Sequence, residues 1–315
     1  DENGIALFEH VPIGSGYVLS EENTPKRYVI PADKTVNVEW NKVTESFFEN
    51  ILKKWRAELY KLDSETLGNP QGDATLAGAV YGVYKDGQLL DTYTIGADGK
   101  LVTDYYVCGN GWTIREVMPS EGYLLDKTIH KVPADPGQYV YELNTVEMTS
   151  YETVKTGNIA IIKHTDDGST QLETPEVGAE FEVFLKKSGS YENAKESERD
   201  ILTCDEYGFA QTKDMPYGVY TVHQTKGWEG REMLPDFDVF ISENGQTYRY
   251  LANNANFQSY IKVIKTDAES GLTIPYAGAA FQLFDPNGNK IVMSYTYPEY
   301  TEIDTFYTAE DGTLI

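Results

Sequence analysis

Along the chain, apolar and polar residues alternate in short runs, and Gly, Pro, Asp and Asn interrupt the runs at close intervals. Alternation sends successive side chains to opposite faces of a pleated ribbon, so each run reads as a strand with one buried face. The runs recur. AELYKLDSETLGNPQGDATLAGAVYGVY from Ala57, IAIIKHTDDGSTQLETPEVGAEFEVF from Ile159 and IKVIKTDAESGLTIPYAGAAFQLF from Ile261 share one plan. Each is an alternating strand ending in Lys, an acidic loop, a Gly-Ala pair and a second alternating strand. Lys61, Lys163 and Lys265 lie 102 residues apart, and the pairs Gly78-Ala79, Gly178-Ala179 and Gly278-Ala279 lie 100 apart. A fixed period of this length marks a tandem array.

The second half of the period recurs as well. An acidic-Gly turn, at Gly4, Gly99, Gly208 and Gly312, leads into a strand; in the first three copies a Gly-containing turn and a strand carrying Glu21, Glu116 or Gln224 follow. Short strands between regular turns, about 100 residues to the unit, predict an all-β chain of tandem Ig-like β-sandwiches arranged as an extended rod. The period divides the chain into a trailing half-unit (1–52), two whole units (53–154 and 155–257) and a leading half-unit (258–315). Neither half can close a sandwich alone, because each leaves open sheet edges and half a core. The expectation is therefore a stretch of a longer array. One segment is ambiguous: Phe48, Ile51, Leu52, Trp55, Leu59 and Leu62 have helical spacing. The phase of the repeat makes 55–62 a strand and leaves room for a short helical turn only near 46–53.

Composition narrows the function. Fifty acidic against 26 basic residues give a net charge of −24, which repels phosphate backbones and anionic lipid and so argues against nucleic-acid and membrane-surface partners. No run of 18 apolar residues predicts membrane insertion, and no signal peptide opens the chain. The 40% hydrophobic content is enough to build cores. Two cysteines, Cys108 and Cys204, exclude a disulfide framework, and four scattered histidines exclude a zinc cluster. Asp166-Asp167-Gly168 and Asp285-Pro286-Asn287-Gly288 read as Asx-Gly turns rather than calcium loops. Nothing singles out a facing pair of carboxylates for glycoside hydrolysis. No metal or cofactor is expected, and no turnover enzyme.

The Lys61-Leu62-Asp63 and Lys265-Thr266-Asp267 openings, the Gly-Ala-x-Phe/Tyr strand and Glu116-Val-Met-Pro-Ser-Glu-Gly-Tyr resemble the B-type repeats of collagen adhesins. These are the prealbumin-like domains of Gram-positive surface proteins and pilins. The resemblance covers nearly the whole chain and implies a prealbumin-like sandwich. It also implies that a Lys on the first strand can bond to an Asn or Asp on the last, once, assisted by a buried acid from a middle strand. The amine must be neutral to attack and the acid must hold a proton, and burial favours both states.

Carried over position by position, the resemblance implies Lys61, Lys163 and Lys265 as amines and Glu21 and Glu116 as proton-shuttling acids. The acceptor position lies eleven residues before the next Lys, which implies Asn50 and Asn254, with Glu152 at the same phase in the first whole unit. No complete set falls within one unit, since Glu152 stands where Asn is expected and Gln224 where an acid is expected. Gln224 cannot give and regain a proton, so a Lys163–Asn254 bond is expected to be slow or absent. If formed, it would close a 91-residue loop, by analogy with a disulfide contributing on the order of 4–5 kcal/mol. For the first whole unit the expectation is a buried Lys61–Glu116 ion pair, weighed against a bond to Glu152 or Asn144. A Cys204–Gln224 thioester is set aside because its surroundings do not match that type of domain.

The reading that follows is a stalk or fibre segment of a cell-surface adhesin or pilus-like protein, on the cell wall or surface of a Gram-positive bacterium. The alternative is an adhesive module gripping a host protein or glycan. Similar polar units on short linkers favour the stalk; the best candidate for an adhesive insertion, SGSYENAKESERD at 188–200, is polar and carries one aromatic. The partners implied are neighbouring domains of the array and a host surface ligand. Head-to-tail self-assembly, with Lys265 of one copy meeting Glu21 and Asn50 of the next, is a further expectation.

Overall fold

A computed structural model describes residues 4–165, 174–254, 261–295 and 299–314, with only the backbone described for Asn254 and Tyr295. Strands dominate it, and the described residues hold three short 3-10 turns as their helical content. None of these helices is long and apolar enough to cross a membrane. The chain divides into two compact units: Asp1–Pro70 with Thr75–Thr153, and Gln71–Ala74 with Val154–Ile315.

The first unit begins with a two-stranded antiparallel ribbon of β1 (Gly14–Leu19) and β2 (Lys34–Val38). The helical turn expected near 46–53 is not formed. The backbone there is spent across the chain instead: Val29 N–H donates to Ile51 O and Lys53 N–H to Arg27 O, both at 2.9 Å, and Leu52 bridges Tyr28. The strand that follows, β3 (Lys54–Asp63), alternates without a break, with Trp55, Ala57, Leu59, Lys61 and Asp63 inward. The helical spacing of Leu52, Trp55, Leu59 and Leu62 arose from two registers read as one: Leu62 faces outward, and the charged Lys61 faces the core.

Around β3 lie β4 (Val80–Lys85), β5 (Gln88–Thr94), β6 (Lys100–Val102), β7 (Tyr106–Val107), β8 (Trp112–Met118), β9 (His130–Lys131) and β10 (Leu143–Glu152). They form two sheets, β10-β3-β6 with β7 also on β3, and β5-β4-β8-β9. Trp55, Leu59 and Leu101 of one sheet share a core with Tyr81, Val83 and Ile114 of the other. At one end of this core Trp55, Tyr106 and Trp112 pack ring against ring, with centroids 5.0–5.3 Å apart. The first and last strands, β3 and β10, run parallel over ten paired positions, from Lys54↔Leu143 to Asp63↔Glu152.

The second unit repeats the plan with β11 (Thr156–Thr165), β12 (Thr174–Pro175), β13 (Glu180–Leu185), β14 (Arg199–Thr203), β15 (Phe209–Gln211), β16 (Met215–Pro216), β17 (Gly218–Lys226), β18 (Phe237–Ile241) and β19 (Gln246–Asn254). One sheet gathers β12, β15, β16 and β19 around β11, and the other runs β14-β13-β17-β18. Ile159, Ile161, Phe181, Val183, Leu185 and Tyr220 fill the space between. Again the first and last strands, β11 and β19, pair in parallel, over nine positions. After it come three short antiparallel ladders: β20 (Val263–Ile264) with β25 (Thr313–Leu314), β21 (Ala280–Phe281) with β24 (Phe306–Tyr307), and β22 (Met293–Tyr295) with β23 (Thr301–Ile303). The 1–52 ribbon leaves large apolar side chains in the open, Trp40 at 81% and Val43 at 82%, as a two-stranded piece without a facing sheet must.

Candidate functional site

The parallel pairing of first and last strands converts sequence spacing into geometry. Lys61 pairs with Ser150 and Lys163 with Ala252, so the acceptor positions Glu152 and Asn254 fall two residues further along the neighbouring strand. Side chains two apart share a face, so the eleven-residue offset puts each lysine and its acceptor position on one sheet face. In the first unit that face is the core side. Asn144, the other acceptor weighed, pairs with Trp55 and donates to Lys54 O and Tyr141 O, six positions from the register of Lys61.

In the first unit the side chains of Lys61, Glu116 and Glu152 have no exposed surface at all. Lys61 Nζ donates to Glu116 Oε1 at 2.7 Å and lies 3.2 Å from Glu152 Oε2, where the angles do not make a hydrogen bond. The other oxygens are held by neutral donors. Glu116 Oε2 accepts Asp126 N–H at 2.7 Å, and Glu152 Oε1 accepts the Tyr81 hydroxyl at 2.7 Å and the Ser150 hydroxyl at 2.9 Å. The Tyr123 ring caps the ammonium at 5.4 Å, and its hydroxyl donates to buried Asp63, which turns the chain by accepting the N–H groups of Glu65 and Thr66. Burial pushes the Glu116 carboxyl above the usual carboxylate range, against the opposing pull of Lys61 and of the Asp126 N–H. One cation thus faces two carboxyl groups in a dry site, where burial makes the Glu116 proton harder to lose than in water.

In the second unit Lys163 is equally buried, but Gln224 on β17 is not its partner. Lys163 Nζ donates to His164 O at 3.0 Å and to Glu176 Oε2 at 2.5 Å, with both side chains fully enclosed. Sequence reasoning passed over Glu176; the available signal was a lone acid two residues before Gly178-Ala179, where the other copies carry Leu76 and Tyr276. The Asn254 side chain lies outside the described set. In the flanking segments, Glu21 and Asn50 do meet: Asn50 Nδ2 donates to Glu21 Oε2 at 2.7 Å and to Thr24 Oγ1 at 3.1 Å. Lys265 lies over the Tyr276 ring at 5.2 Å. Among the described residues, no ion pair reaches Glu21 or Lys265.

The remaining candidates resolve simply. Asp285 spends its carboxylate on Asn287 N–H, Asn289 N–H and the Asn289 amide, all within its own turn. Asp166-Asp167-Gly168 lies outside the described residues, and among the described residues no cluster of three metal-ligating side chains occurs. Cys108 and Cys204 are buried free thiols, and burial lifts the Cys204 thiol to about 11. Since the thiolate is the reactive form, Cys204 in the folded chain at pH 8 is expected to alkylate roughly a hundredfold more slowly than an exposed cysteine. In denaturant both thiols should react in full. A Cys204 that stays blocked after unfolding would reinstate the thioester.

Comparison with known proteins bears on this geometry. The SpaA prealbumin-like fold domain matches the chain twice, at residues 58–149 and 157–256. Among solved structures, the Bacillus anthracis TIE protein is similar over 90% of this chain, with a TM-score of 0.50 and 21% identity, and the chain spans 47% of that protein. GBS52, the minor pilin of Streptococcus agalactiae, is similar over 65% of this chain and 98% of its own length, with 16% identity and a TM-score of 0.30. The C-terminal fragment of the pilus adhesin SpaC from Lactobacillus rhamnosus GG aligns over 66% of this chain and all of its own length, with 14% identity and a TM-score of 0.37. No functionally curated protein matches significantly. With two matched segments covering more than half its length, each built on parallel first and last strands around a buried lysine, the chain belongs to the SpaA prealbumin-like fold domain family.

Proposed function

We propose that this chain is a structural stalk or fibre segment of a cell-surface adhesin or pilus-like protein of a Gram-positive bacterium. The observation that carries the reading is the parallel pairing of first and last strands in both units, ten positions long in one and nine in the other. A parallel pair enters at one end of the sheet and leaves at the other. Tension along the chain therefore shears the whole ladder at once instead of unzipping it bond by bond. The buried lysines sit on the strands that carry this load: Lys61 as an ion cluster with Glu116 and Glu152, and Lys163 as the amine of an amide bond to Asn254. Neighbouring domains of the array are the partners this reading implies.

The insertion at 188–200 supports the stalk over an adhesive module. Its two cations are engaged within it, Arg199 donating to Tyr191 O and Glu192 O and Lys195 to the Glu198 carboxylate, while Lys213 from outside donates to Glu196 O. Pulling the full chain by its ends in a single-molecule force experiment tests the proposal. Two domains that resist as sheared ladders are expected, with the second extending only by the residues outside the Lys163–Asn254 loop. Domains that open at the low forces of unzipping hairpins would overturn it.

A further inference from the structure

Glu116 does two things from β8: one oxygen holds Lys61 Nζ and the other holds the N–H of Asp126, ten residues on. In the second unit these two tasks belong to different residues. Gln224, at the matching place on β17, accepts the N–H of Leu234 at 2.8 Å, again ten residues on, and donates its amide to Lys226 O at 3.1 Å. It keeps the loop and does not touch the lysine. Glu176, from the loop ahead of β13, holds Lys163 Nζ with Oε2 and the N–H of Trp228 with Oε1 at 2.7 Å. The exchange is reciprocal in sequence: Leu76 in the loop goes with Glu116 on the strand, and Glu176 in the loop goes with Gln224 on the strand. A fully buried lysine requires an opposite charge, and the second unit supplies it from another element.

We propose that Glu176 is the acid of the second unit, so that the site expected from Gln224 to be inert is competent for its crosslink. This rests on the Lys163–Asn254 reading above. In the contact pair the ammonium passes one proton to Glu176 Oε2, leaving a neutral amine and a carboxylic acid. Nζ then bonds to the Asn254 amide carbon. Glu176 gives its proton to the departing Asn254 nitrogen and takes one from Nζ; the carbon–nitrogen bond of the amide breaks and ammonia leaves. Glu176 ends protonated, and the chain is lighter by one ammonia. Gln224 has no carboxyl proton to exchange and serves as a positioning residue for the Leu234 loop.

The test is intact mass of the full chain with peptide mapping, on the natural sequence, on Glu176→Gln, and on Glu176→Gln combined with Gln224→Glu. Expected are a Lys163–Asn254 linked peptide in the natural chain, its loss in Glu176→Gln, and its return in the double variant, where the acid is back at the strand position. A linked peptide that persists in Glu176→Gln overturns the role of Glu176 and leaves the crosslink intact. Failure of the double variant to recover the bond overturns the interchange of the two positions. A natural chain at full mass, with no linked peptide, overturns the crosslink itself and this inference with it.

Discussion

Replacing Lys61 with methionine should destabilise the first unit by about 3–5 kcal/mol, the usual cost of stranding buried charge, and lower its melting temperature by on the order of 20 °C. The lysine is the cation within reach of Glu116 and Glu152, at 2.7 and 3.2 Å, and neither carboxyl side chain is exposed to water. Methionine fills much of the same volume, so packing changes little and the loss reports charge. The effect should depend on pH in a defined direction. Glu116 already titrates above its ordinary range because of burial, so the folded state binds protons that the unfolded state has released. Stability from this group falls as pH rises from the unfolded value through the folded one. Removing Lys61 takes away the opposing pull, so the penalty should be largest at neutral pH and shrink toward pH 4. Adding Glu116→Gln and Glu152→Gln to Lys61→Met should recover most of the loss, because Tyr81, Ser150 and the Asp126 N–H keep an acceptor. Thermal melts with hydrogen exchange on peptides from β3 and β10 would measure this. A loss below about 1 kcal/mol would mean that the cluster carries no net charge to strand.

Gly208→Ala should cost the second unit about 3 kcal/mol or more, combining left-handed backbone strain with a forced backbone shift. Gly208 has φ +70°, and a Cβ there would stand 2.3 Å from Lys163 O. The same glycine accepts the Lys163 N–H on its carbonyl at 2.7 Å, so making room for the methyl group moves the backbone of the buried lysine. Gly99 is the built-in control. It occupies the same acidic-Gly turn at φ +73°, but its Cβ would meet Lys61 O at a more tolerable 3.3 Å. Gly99→Ala should therefore cost little beyond the ordinary left-handed strain of about 1–2 kcal/mol. Equal losses from the two substitutions, read as denaturation midpoints of the two units, would show that the close approach at Gly208 does not matter.

Much of the fold was legible because alternation and period are local properties. The strands, the turns around Gly99 and Gly208 and the recurrence of Lys61 and Lys163 follow from residue order. The eleven-residue offset has a plain geometric meaning: with first and last strands paired in parallel, it places residues 152 and 254 two positions past the register partners of Lys61 and Lys163. The helical reading near 46–53 failed because Ile51 and Lys53 bond to residues more than twenty positions earlier. No local spacing carries that information. Glu176 was missed for a related reason: a loop residue has no periodicity to declare which way it faces.

The sequence by itself determined that this is an all-β chain with a lysine at the same phase of each whole unit, because a repeated pattern of inward and outward positions needs no long-range contact to be recognised. Only the tertiary structure decided what each lysine meets. Glu116, Glu152 and Lys61 come from three strands, and Glu176 reaches Lys163 from a loop while Gln224 holds another loop. A buried charge must be matched wherever in the chain its partner lies. That partner is set by where loops return across the sandwich, and the periodic signal does not record those returns.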